Sequence, residues 1–270
     1  MKKLLAVLAA MAVAVLALAG CGSNEKAASE TKVLKVGATA VPHAEILEQI
    51  KDDLKAQNID LQIVEFNDYV QPNLALNDKE LDANYFQHAP YLENFIKEHP
   101  EVKAANAAGI HIEPMGIYSH KVKSLAEIKD GASVAIPNDP TNGGRALILL
   151  SKAGIIKLKD DSNIAATVQD VVENPKNLKF QELEAAQVPR AIDDVELAVI
   201  NSNFAMQVKL NPVKDSLFIE DSTSPYVNIV AVRTGDEERP EIKALVKALQ
   251  SDKVKKFIEE KYNGAVVAAF

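Results

Sequence analysis

The chain has 270 residues, of which 38 are Asp or Glu and 30 are Lys or Arg, so its net charge at pH 7 is −8. This acidic balance argues against a protein that binds nucleic acid or lies flat on anionic lipid, because both partners repel negative charge. About 240 residues follow the N-terminal segment described next, which is enough for one large domain or two small lobes.

The N-terminal segment has the pattern of an export signal. Two lysines precede an apolar run from Leu4 to Ala19, which is shorter than the roughly 20 residues that cross a bilayer and has no basic stop-transfer cluster after it. The letters LAGC at residues 18–21 resemble the bacterial lipobox. We therefore predict that residues 1–20 are cleaved and that Cys21 is acylated and becomes the first residue of the mature chain.

Cys21 is the only cysteine in the sequence. The folded part would therefore lack disulfides, thiolate nucleophiles and cysteine metal clusters. Residues 21–32 are small and polar, as expected of a flexible tether between membrane and domain. An ordinary secretory signal with an incidental cysteine is the alternative.

Strand and helix patterns alternate along the first half of the chain. A strand, a helix and a strand are predicted over Val33–Ala38, Pro42–Gln57 and residues 59–63, which is a β-α-β unit. A second strand, helix and strand are predicted over Leu81–Phe86, Tyr91–Glu98 and Ile110–Tyr118.

The second half continues the alternation. Strands are predicted at Ser133–Ile136, Glu196–Ile200 and Val227–Arg233, and helices at Arg145–Ala153, Glu241–Leu249 and Asp252–Lys261, with Gly154 ending the first of these helices. Strands alternating with helices predict an α/β fold with mostly parallel sheets. Such sheets bind ligands beyond the carboxyl ends of their strands.

Residues 137–145 follow one of these strands and have the composition of an anion site. Thr141 or Asn142 can cap the next helix, and the two following glycines let backbone amides approach a ligand. Arg145 adds a full positive charge in the first helical turn, where it can hold a carboxylate with two hydrogen bonds. Because the chain has neither a phosphate loop nor a dinucleotide glycine motif, a small carboxylate ligand is favoured. The alternative is that Arg145 pairs with a surface acid.

Several longer stretches occur together in one order. They are KVGAT (35–39), PHAE (42–45), FNDYVQPN (66–73), DANYFQH (82–88), PNDPTNGGRAL (137–147), ELEAAQ with PR (182–190), NSNFA (201–205) and SPYVNI (224–229). In these stretches the chain resembles the methionine-binding lipoproteins of bacterial ABC importers, the NlpA/MetQ family. The resemblance extends from the lipobox to the C-terminal helices.

The resemblance implies a two-lobed, periplasmic-binding-protein-like α/β fold of type 2, with the ligand in the cleft between the lobes. Residues 33–118 together with 227–270 would form lobe 1, and residues 119–226 would form lobe 2. Crossover strands would join the two lobes.

The resemblance also implies the roles of individual site residues. The apolar side chain of the ligand would lie among Tyr69, Phe86, His88 and Tyr91. Its carboxylate would meet Arg145, and the amides of Asn203 and Asn228 would hold the amino-acid head group; Asn142, from the same turn as Arg145, completes the expected set. Each residue also has a structural alternative: the aromatics as core, the histidine as a buried hydrogen-bonding group, and the asparagines as caps.

We therefore expect an extracytoplasmic, lipid-anchored carrier without enzymatic activity, cofactor or metal. It would capture L-methionine, or also the D isomer, by lobe closure and deliver it to an ABC permease driven by a separate ATPase subunit. A monomer is expected. A related amino acid or a short methionine-containing peptide is an alternative ligand, and a zinc or manganese receptor is a further alternative if His88, His111 and His120 converge.

Overall fold

The computed structural model describes residues 30–221 and 224–270. The predicted export signal at residues 1–20, the acylated Cys21 and most of the tether at residues 21–32 lie outside the described residues. Within the described ranges, no helix combines the length and the apolar character that crossing a membrane requires.

The described residues form short strands and helices in mixed order. The strands are β1 (Lys32–Ala38), β2 (Ile59–Glu65), β3 (Ala83–His88), β4 (Ala104–Ile112), β5 (Gly116–Tyr118), β6 (Ser133–Pro137), β7 (Lys157–Leu158), β8 (Val171–Glu173), β9 (Lys179–Leu183), β10 (Leu197–Ile200), β11 (Phe218–Ile219), β12 (Val227–Arg233) and β13 (Val267–Ala268). The α-helices are α1 (Glu45–Glu48), α2 (Lys51–Lys55), α3 (Gln71–Asn77), α4 (Ala89–Glu98), α5 (Pro140–Lys152), α6 (Ser202–Gln207), α7 (Pro212–Asp215), α8 (Pro240–Leu249) and α9 (Asp252–Tyr262).

The first sheet has the strand order β13-β4-β12-β3-β1-β2. β1 pairs in parallel with β2 and β3, which confirms the β-α-β unit predicted at the start of the domain. β12 runs antiparallel to both of its neighbours, β3 and β4. Helices and core side chains cover this sheet, and β3 is buried along its whole length.

The second sheet has the strand order β11-β5-β10-β6-β9. β10, β6 and β9 are parallel, whereas β5 runs antiparallel to β10 and β11. The expectation of mostly parallel sheets is therefore wrong. In each sheet, antiparallel pairing involves the strand that the chain enters directly from the other sheet, β12 in the first and β5 in the second, and β13 adds a further antiparallel pair with β4.

The chain crosses between the sheets twice. Residues 113–115, the first crossover, join β4 to β5. The second crossover lies between β11 and β12, and its described residues are 220–221 and 224–226. The strand predicted over Ile110–Tyr118 is divided at the first crossover, where Pro114 has no N–H group to donate to a sheet ladder. The lobe boundary expected after residue 118 would leave β5 in lobe 1, whereas β5 pairs within the second sheet.

Helix α5 begins differently from the prediction. The cap is Asp139, whose side chain accepts a hydrogen bond from the backbone N–H of Asn142, and neither Thr141 nor Asn142 takes that role. A Cβ atom on Gly144 would lie 2.4 Å from the carbonyl oxygen of Ile164. This glycine therefore lets the helix pack closely against a neighbouring loop.

Gly144→Ala should destabilise the fold. The added methyl group meets backbone atoms that cannot rotate away, and such overpacking costs about 1–3 kcal/mol, even though alanine is the better helix former. Chemical denaturation of the two proteins measures the difference. Ser151→Ala, near the end of the same helix, is the control, and its stability should change by less than about 0.5 kcal/mol. A Gly144→Ala protein as stable as the original would contradict the close packing.

Candidate functional site

A cavity lies between the two sheets, close to both crossovers. It is lined by Tyr69, Phe86, Gln87, His88, Tyr91, Glu113, Asn142, Arg145, Asn201, Ser202, Asn203 and Asn228. All eight ligand-binding residues expected from the sequence are in this group.

Several different elements bring these residues together. The end of β3 supplies Phe86, Gln87 and His88, and the first turn of α4 supplies Tyr91. From the other sheet, the first two turns of α5 and the start of α6 with its preceding residue border the same space, and they supply four polar side chains and the arginine, which lies in the second turn of α5. These five residues are Asn142, Arg145, Asn201, Ser202 and Asn203.

Aromatic rings form one wall of the cavity. The ring centroid of Tyr69 lies 5.9 Å from that of Phe86 and 5.7 Å from that of Tyr91. Phe204, from the second sheet's side, approaches Tyr69 to 4.9 Å. Ring spacings of this kind are those of favourable aromatic pairs. The wall is apolar, and Tyr69 makes ring contacts on both sides of the cleft.

His88 and Asn142 form a hydrogen-bonded link across the cleft. The Nδ1 atom of His88 accepts the backbone N–H of Tyr91, so Nε2 carries the proton and donates to Oδ1 of Asn142 at 3.1 Å. The same oxygen accepts from the amide of Asn201 at 2.7 Å, and the Asn142 amide donates to Asp139. Burial and the nearby Arg145 lower the pKa of His88 to about 3, which keeps this histidine neutral.

Arg145 makes its two-pronged contact with the protein itself. Its Nε and Nη2 atoms donate to the carboxylate of Glu220 in the second crossover, and Nη2 also donates to the backbone carbonyl of Glu113 at 2.7 Å. The guanidinium carbon lies 4.3 Å from the ring centroid of Tyr226. Arg145 thus lines the cavity while it binds both crossovers. Its partner is a buried acid, not the surface acid considered from the sequence.

Glu113 sits between two buried histidines. Its Oε1 atom lies 2.8 Å from Nε2 of His111 and 3.2 Å from Nε2 of His43. This is the one group of three close His, Asp or Glu ligand atoms among residues 30–221 and 224–270. It differs from the His88, His111 and His120 set considered from the sequence, since His120 is exposed and contacts Asp193 on the surface. The ring nitrogens of His43 and His111 all have hydrogen-bond partners within the protein.

Two asparagine amides are oriented by neighbouring side chains. The hydroxyl of Tyr69 donates to Oδ1 of Asn203 at 2.6 Å, and Nε2 of His43 donates to Oδ1 of Asn228 at 3.0 Å. Each contact turns the amide nitrogen of that asparagine away from the donor. The amide nitrogen of Asn203 is buried and has no hydrogen-bond partner in the described part of the chain. The Oδ1 atom of Asn201 is also buried and has no partner there.

Four lining residues were not predicted from the sequence: Gln87, Glu113, Asn201 and Ser202. Asn201 and Ser202 precede Asn203 in the NSNFA stretch, so their position after a predicted strand could have indicated them. Gln87 belongs to a buried amide network with Asn73 and Asn84. Glu113 carried no signal, because it lay inside a stretch read as one continuous strand.

Two α/β lobes joined by two crossovers around a cavity define a periplasmic-binding-protein-like fold of type 2, with its ligand cleft between the lobes. The family model described as NlpA lipoprotein matches residues 34–270. This chain therefore belongs to the NlpA lipoprotein family.

Several relatives and solved structures are similar to this chain over most of their length. The chain is 46% identical over 254 residues to the D-methionine-binding lipoprotein MetQ of Salmonella typhi, with 93% of each chain covered. A nutrient binding protein from Burkholderia cenocepacia, solved bound to methionine, is 47% identical with a TM-score of 0.84, over 88% of this chain and 100% of that chain. An ABC transporter periplasmic substrate-binding protein from Coxiella burnetii is 41% identical with a TM-score of 0.83, over 87% of this chain and 100% of that one.

His88 should make stability depend on pH. The unfolded histidine takes up a proton below pH 6.5, whereas the folded one stays neutral down to about pH 3, so unfolding consumes a proton in this window and stability falls as the pH falls. Between about pH 6 and 4, His88→Gln should reduce the slope of unfolding free energy against pH by about 1.4 kcal/mol per unit. Denaturant titrations across this range measure the slope.

Ser151→Ala provides the control, because it removes no titratable group. Its slope should equal that of the unsubstituted protein. Burial raises the pKa values of Glu113 and Asp139, and these carboxyls contribute with the opposite sign in every variant. Parallel stability curves for the unsubstituted protein and His88→Gln would show that His88 is not held neutral.

Proposed function

We propose that this protein is the solute-binding lipoprotein of an ABC importer and that it captures methionine in the cavity between its lobes. The observation that carries the proposal is the pair of unpartnered buried atoms, a donor on Asn203 and an acceptor on Asn201. An unpaired buried polar group costs about 1–3 kcal/mol. An amino acid supplies a carboxylate for the first atom and an ammonium group for the second.

The charged groups of the cavity support this orientation of the ligand. The carboxylate would lie on the side of Arg145, where Asn203 and Asn228 present oriented amides. Because Arg145 already binds Glu220, the ligand carboxylate relies more on the two amides than the sequence suggested. The proposed binding site comprises Asn201 and the eight residues expected from the sequence, which are Tyr69, Phe86, His88, Tyr91, Asn142, Arg145, Asn203 and Asn228.

The aromatic wall suits a thioether side chain. Phe86 and Tyr91 are almost fully buried, and Tyr69 closes the wall from the same side. Sulfur beside an aromatic ring edge contributes roughly 0.3–1.5 kcal/mol per contact. The MetQ relative of Salmonella typhi is named for D-methionine, and the Burkholderia cenocepacia structure contains methionine. Both isomers therefore belong in the test.

Transport would follow from closure of the two lobes. The His88 to Asn142 and Tyr69 to Asn203 hydrogen bonds join the lobes across the cleft. A ligand that contacts both lobes favours this arrangement over an open one. We propose that the first lobe comprises residues 33–112 and 227–270 and the second lobe residues 116–219.

We further propose a location and partners for the carrier. Residues 1–20 would direct export, lipid on Cys21 would anchor the protein outside the cytoplasm, and the closed form would dock as a monomer on a permease with a separate ATPase. The carrier would perform no chemistry on its ligand. Membership of the NlpA lipoprotein family and similarity to the Coxiella burnetii transporter component support this part of the proposal.

Isothermal titration calorimetry tests the ligand directly. Purified protein lacking residues 1–20 should bind L-methionine, D-methionine or both, and should bind neither lysine nor glutamate, because a second charge cannot be solvated beside the aromatic wall. Binding of a charged amino acid without binding of either methionine isomer would refute the proposal.

Asn203→Ala should weaken methionine binding about 5- to 150-fold, because the ligand carboxylate loses a buried donor. The substitution also removes the acceptor of the Tyr69 hydroxyl, so Tyr69→Phe is the matched control that removes only that hydrogen bond. Calorimetry should show a clearly larger loss for Asn203→Ala. Equal losses in both variants would mean that the amide nitrogen of Asn203 does not contact the ligand.

A further inference from the structure

Three buried side-chain amides lie between α3 and β3. Asn73 is in the first turn of α3, whereas Asn84 and Gln87 belong to β3, and each of the three side chains is at most 3% exposed. Asn73 ends the FNDYVQPN stretch of the sequence, and the other two belong to the DANYFQH stretch. Aromatic residues of both stretches line the cavity, which leaves the role of the amides to be explained.

The three amides form a closed set of hydrogen bonds. Asn73 donates to Oε1 of Gln87 at 2.9 Å, and Gln87 donates back to Oδ1 of Asn73 at 2.7 Å. Gln87 also donates to Oδ1 of Asn84 at 2.9 Å. Asn84 donates to Oδ1 of Asn73 at 2.9 Å and to the backbone oxygen of Pro72 at 3.2 Å. Every amide nitrogen and oxygen of the set therefore has a partner, and such a satisfied buried network holds its elements in one arrangement.

A β-bulge in β3 brings Asn84 and Gln87 to the same helix. Two consecutive residues of β12 pair with positions 85 and 87 of β3, so Phe86 is an extra residue on β3. In a regular strand, side chains three positions apart point to opposite faces. The extra residue shifts this alternation, and both amides reach Asn73. Bulges beside functional sites change the direction of a side chain, and here the bulged residue, Phe86, lines the cavity.

The amide network joins the two elements that carry the aromatic wall. Tyr69 lies two residues before α3 begins, and Phe86 precedes Gln87 in β3. The reciprocal hydrogen bonds between Asn73 and Gln87 fix the start of α3 against the end of β3. From the start of α4, the hydroxyl of Tyr91 donates to the backbone oxygen of Tyr69 at 3.0 Å. The spacing of 5.9 Å between the ring centroids of Tyr69 and Phe86 therefore depends on these links.

We infer that Asn73 is a positioning residue: through the amide network it sets the separation of Tyr69 from Phe86, and with it the length of the side chain that the cavity accepts. This inference rests on the proposed function, because it concerns the side-chain end of the same ligand. Asn73 lies outside the set of described residues that line the cavity. An apolar cluster that includes Phe86 and Tyr91 occupies this part of the fold. Directed amide hydrogen bonds specify a single position there, which apolar contacts alone do less well.

Two ligands that differ by one methylene group test the inference. Methionine and ethionine share the head group and the sulfur atom, and ethionine carries an ethyl group in place of the methyl group. In calorimetry the unsubstituted protein should bind methionine at least about 10-fold more tightly, because one methylene group in a fitted apolar pocket is worth about 10- to 200-fold. Equal affinities for the two ligands would overturn the inference. Failure to bind methionine would instead refute the proposed function.

Asn73→Leu keeps the approximate size of the side chain and removes its hydrogen bonds. The ratio of methionine to ethionine affinity should fall about 2- to 30-fold, which is the range of coupling carried by residues that touch no ligand. A purely structural Asn73 would weaken both ligands by the same factor, so an unchanged ratio in the folded variant would overturn the inference. If this variant does not fold, Asn84→Leu supplies the same comparison, because Asn84 donates to both Asn73 and Pro72.

An exchange of the two amides provides a rescue. Asn73→Gln combined with Gln87→Asn keeps the combined length of the pair and lets the reciprocal hydrogen bonds form again, so the preference for methionine should return towards the unsubstituted value. Gln71→Leu is the matched control, because it replaces an exposed amide in the same helical turn, and it should leave the ratio unchanged. A loss of preference in the exchange variant or in Gln71→Leu as large as that in Asn73→Leu would overturn the assignment to the network.

Discussion

The buried contact of Arg145 with both crossovers determines the geometry of the site. One guanidinium group binds the side chain of Glu220 in the second crossover and the backbone oxygen of Glu113 in the first. Removing one partner of such a buried pair typically costs 3–5 kcal/mol, whereas exchanging the whole pair for apolar groups is often neutral. The pair is therefore best understood as a device that fixes relative position. It joins the two segments through which the lobes are connected.

Because Arg145 binds within the protein, the neutral asparagines of the cavity have a larger part in the proposed ligand binding. Since its two-pronged face binds Glu220, the amides of Asn203 and Asn228 become the main directed donors in the cavity. Tyr69 and His43 orient these amides through hydrogen bonds within the protein. Such preorganisation reduces the entropy that binding would otherwise cost. The neutral, buried histidines serve the same end, because a charged imidazole would compete with the ligand for its partners.

The sequence was sufficient to predict the strands that carry the site but not the partners of its charges. Residues at the carboxyl end of β3 and near the starts of the helices that follow β3, β6 and β10 line the cavity, as the α/β pattern predicts. Glu220 could not be assigned to Arg145, because the two residues are 75 positions apart and meet only through the fold. Glu113 could not be predicted, because the sequence on both sides of Pro114 resembles one continuous strand. That strand is interrupted only in the fold, where the chain crosses between the sheets.

The two ends of the cavity depend differently on closure of the lobes. The head-group end is the part beside Glu113 and Arg145, and the aromatic end is the part beside Tyr69. At the head-group end, Glu113 lies in the first crossover and Arg145 binds both crossovers, so the proposed rotation of the lobes about these segments would displace them little. At the aromatic end, Tyr69 contacts Phe204 and Asn203 from the opposite lobe, and the proposed opening of the lobes would separate these groups. In the proposed binding mode, an amino acid would bind first at the crossovers through its charged groups. Its side chain would become enclosed as the lobes close, so side-chain selectivity and closure would depend on the same aromatic contacts.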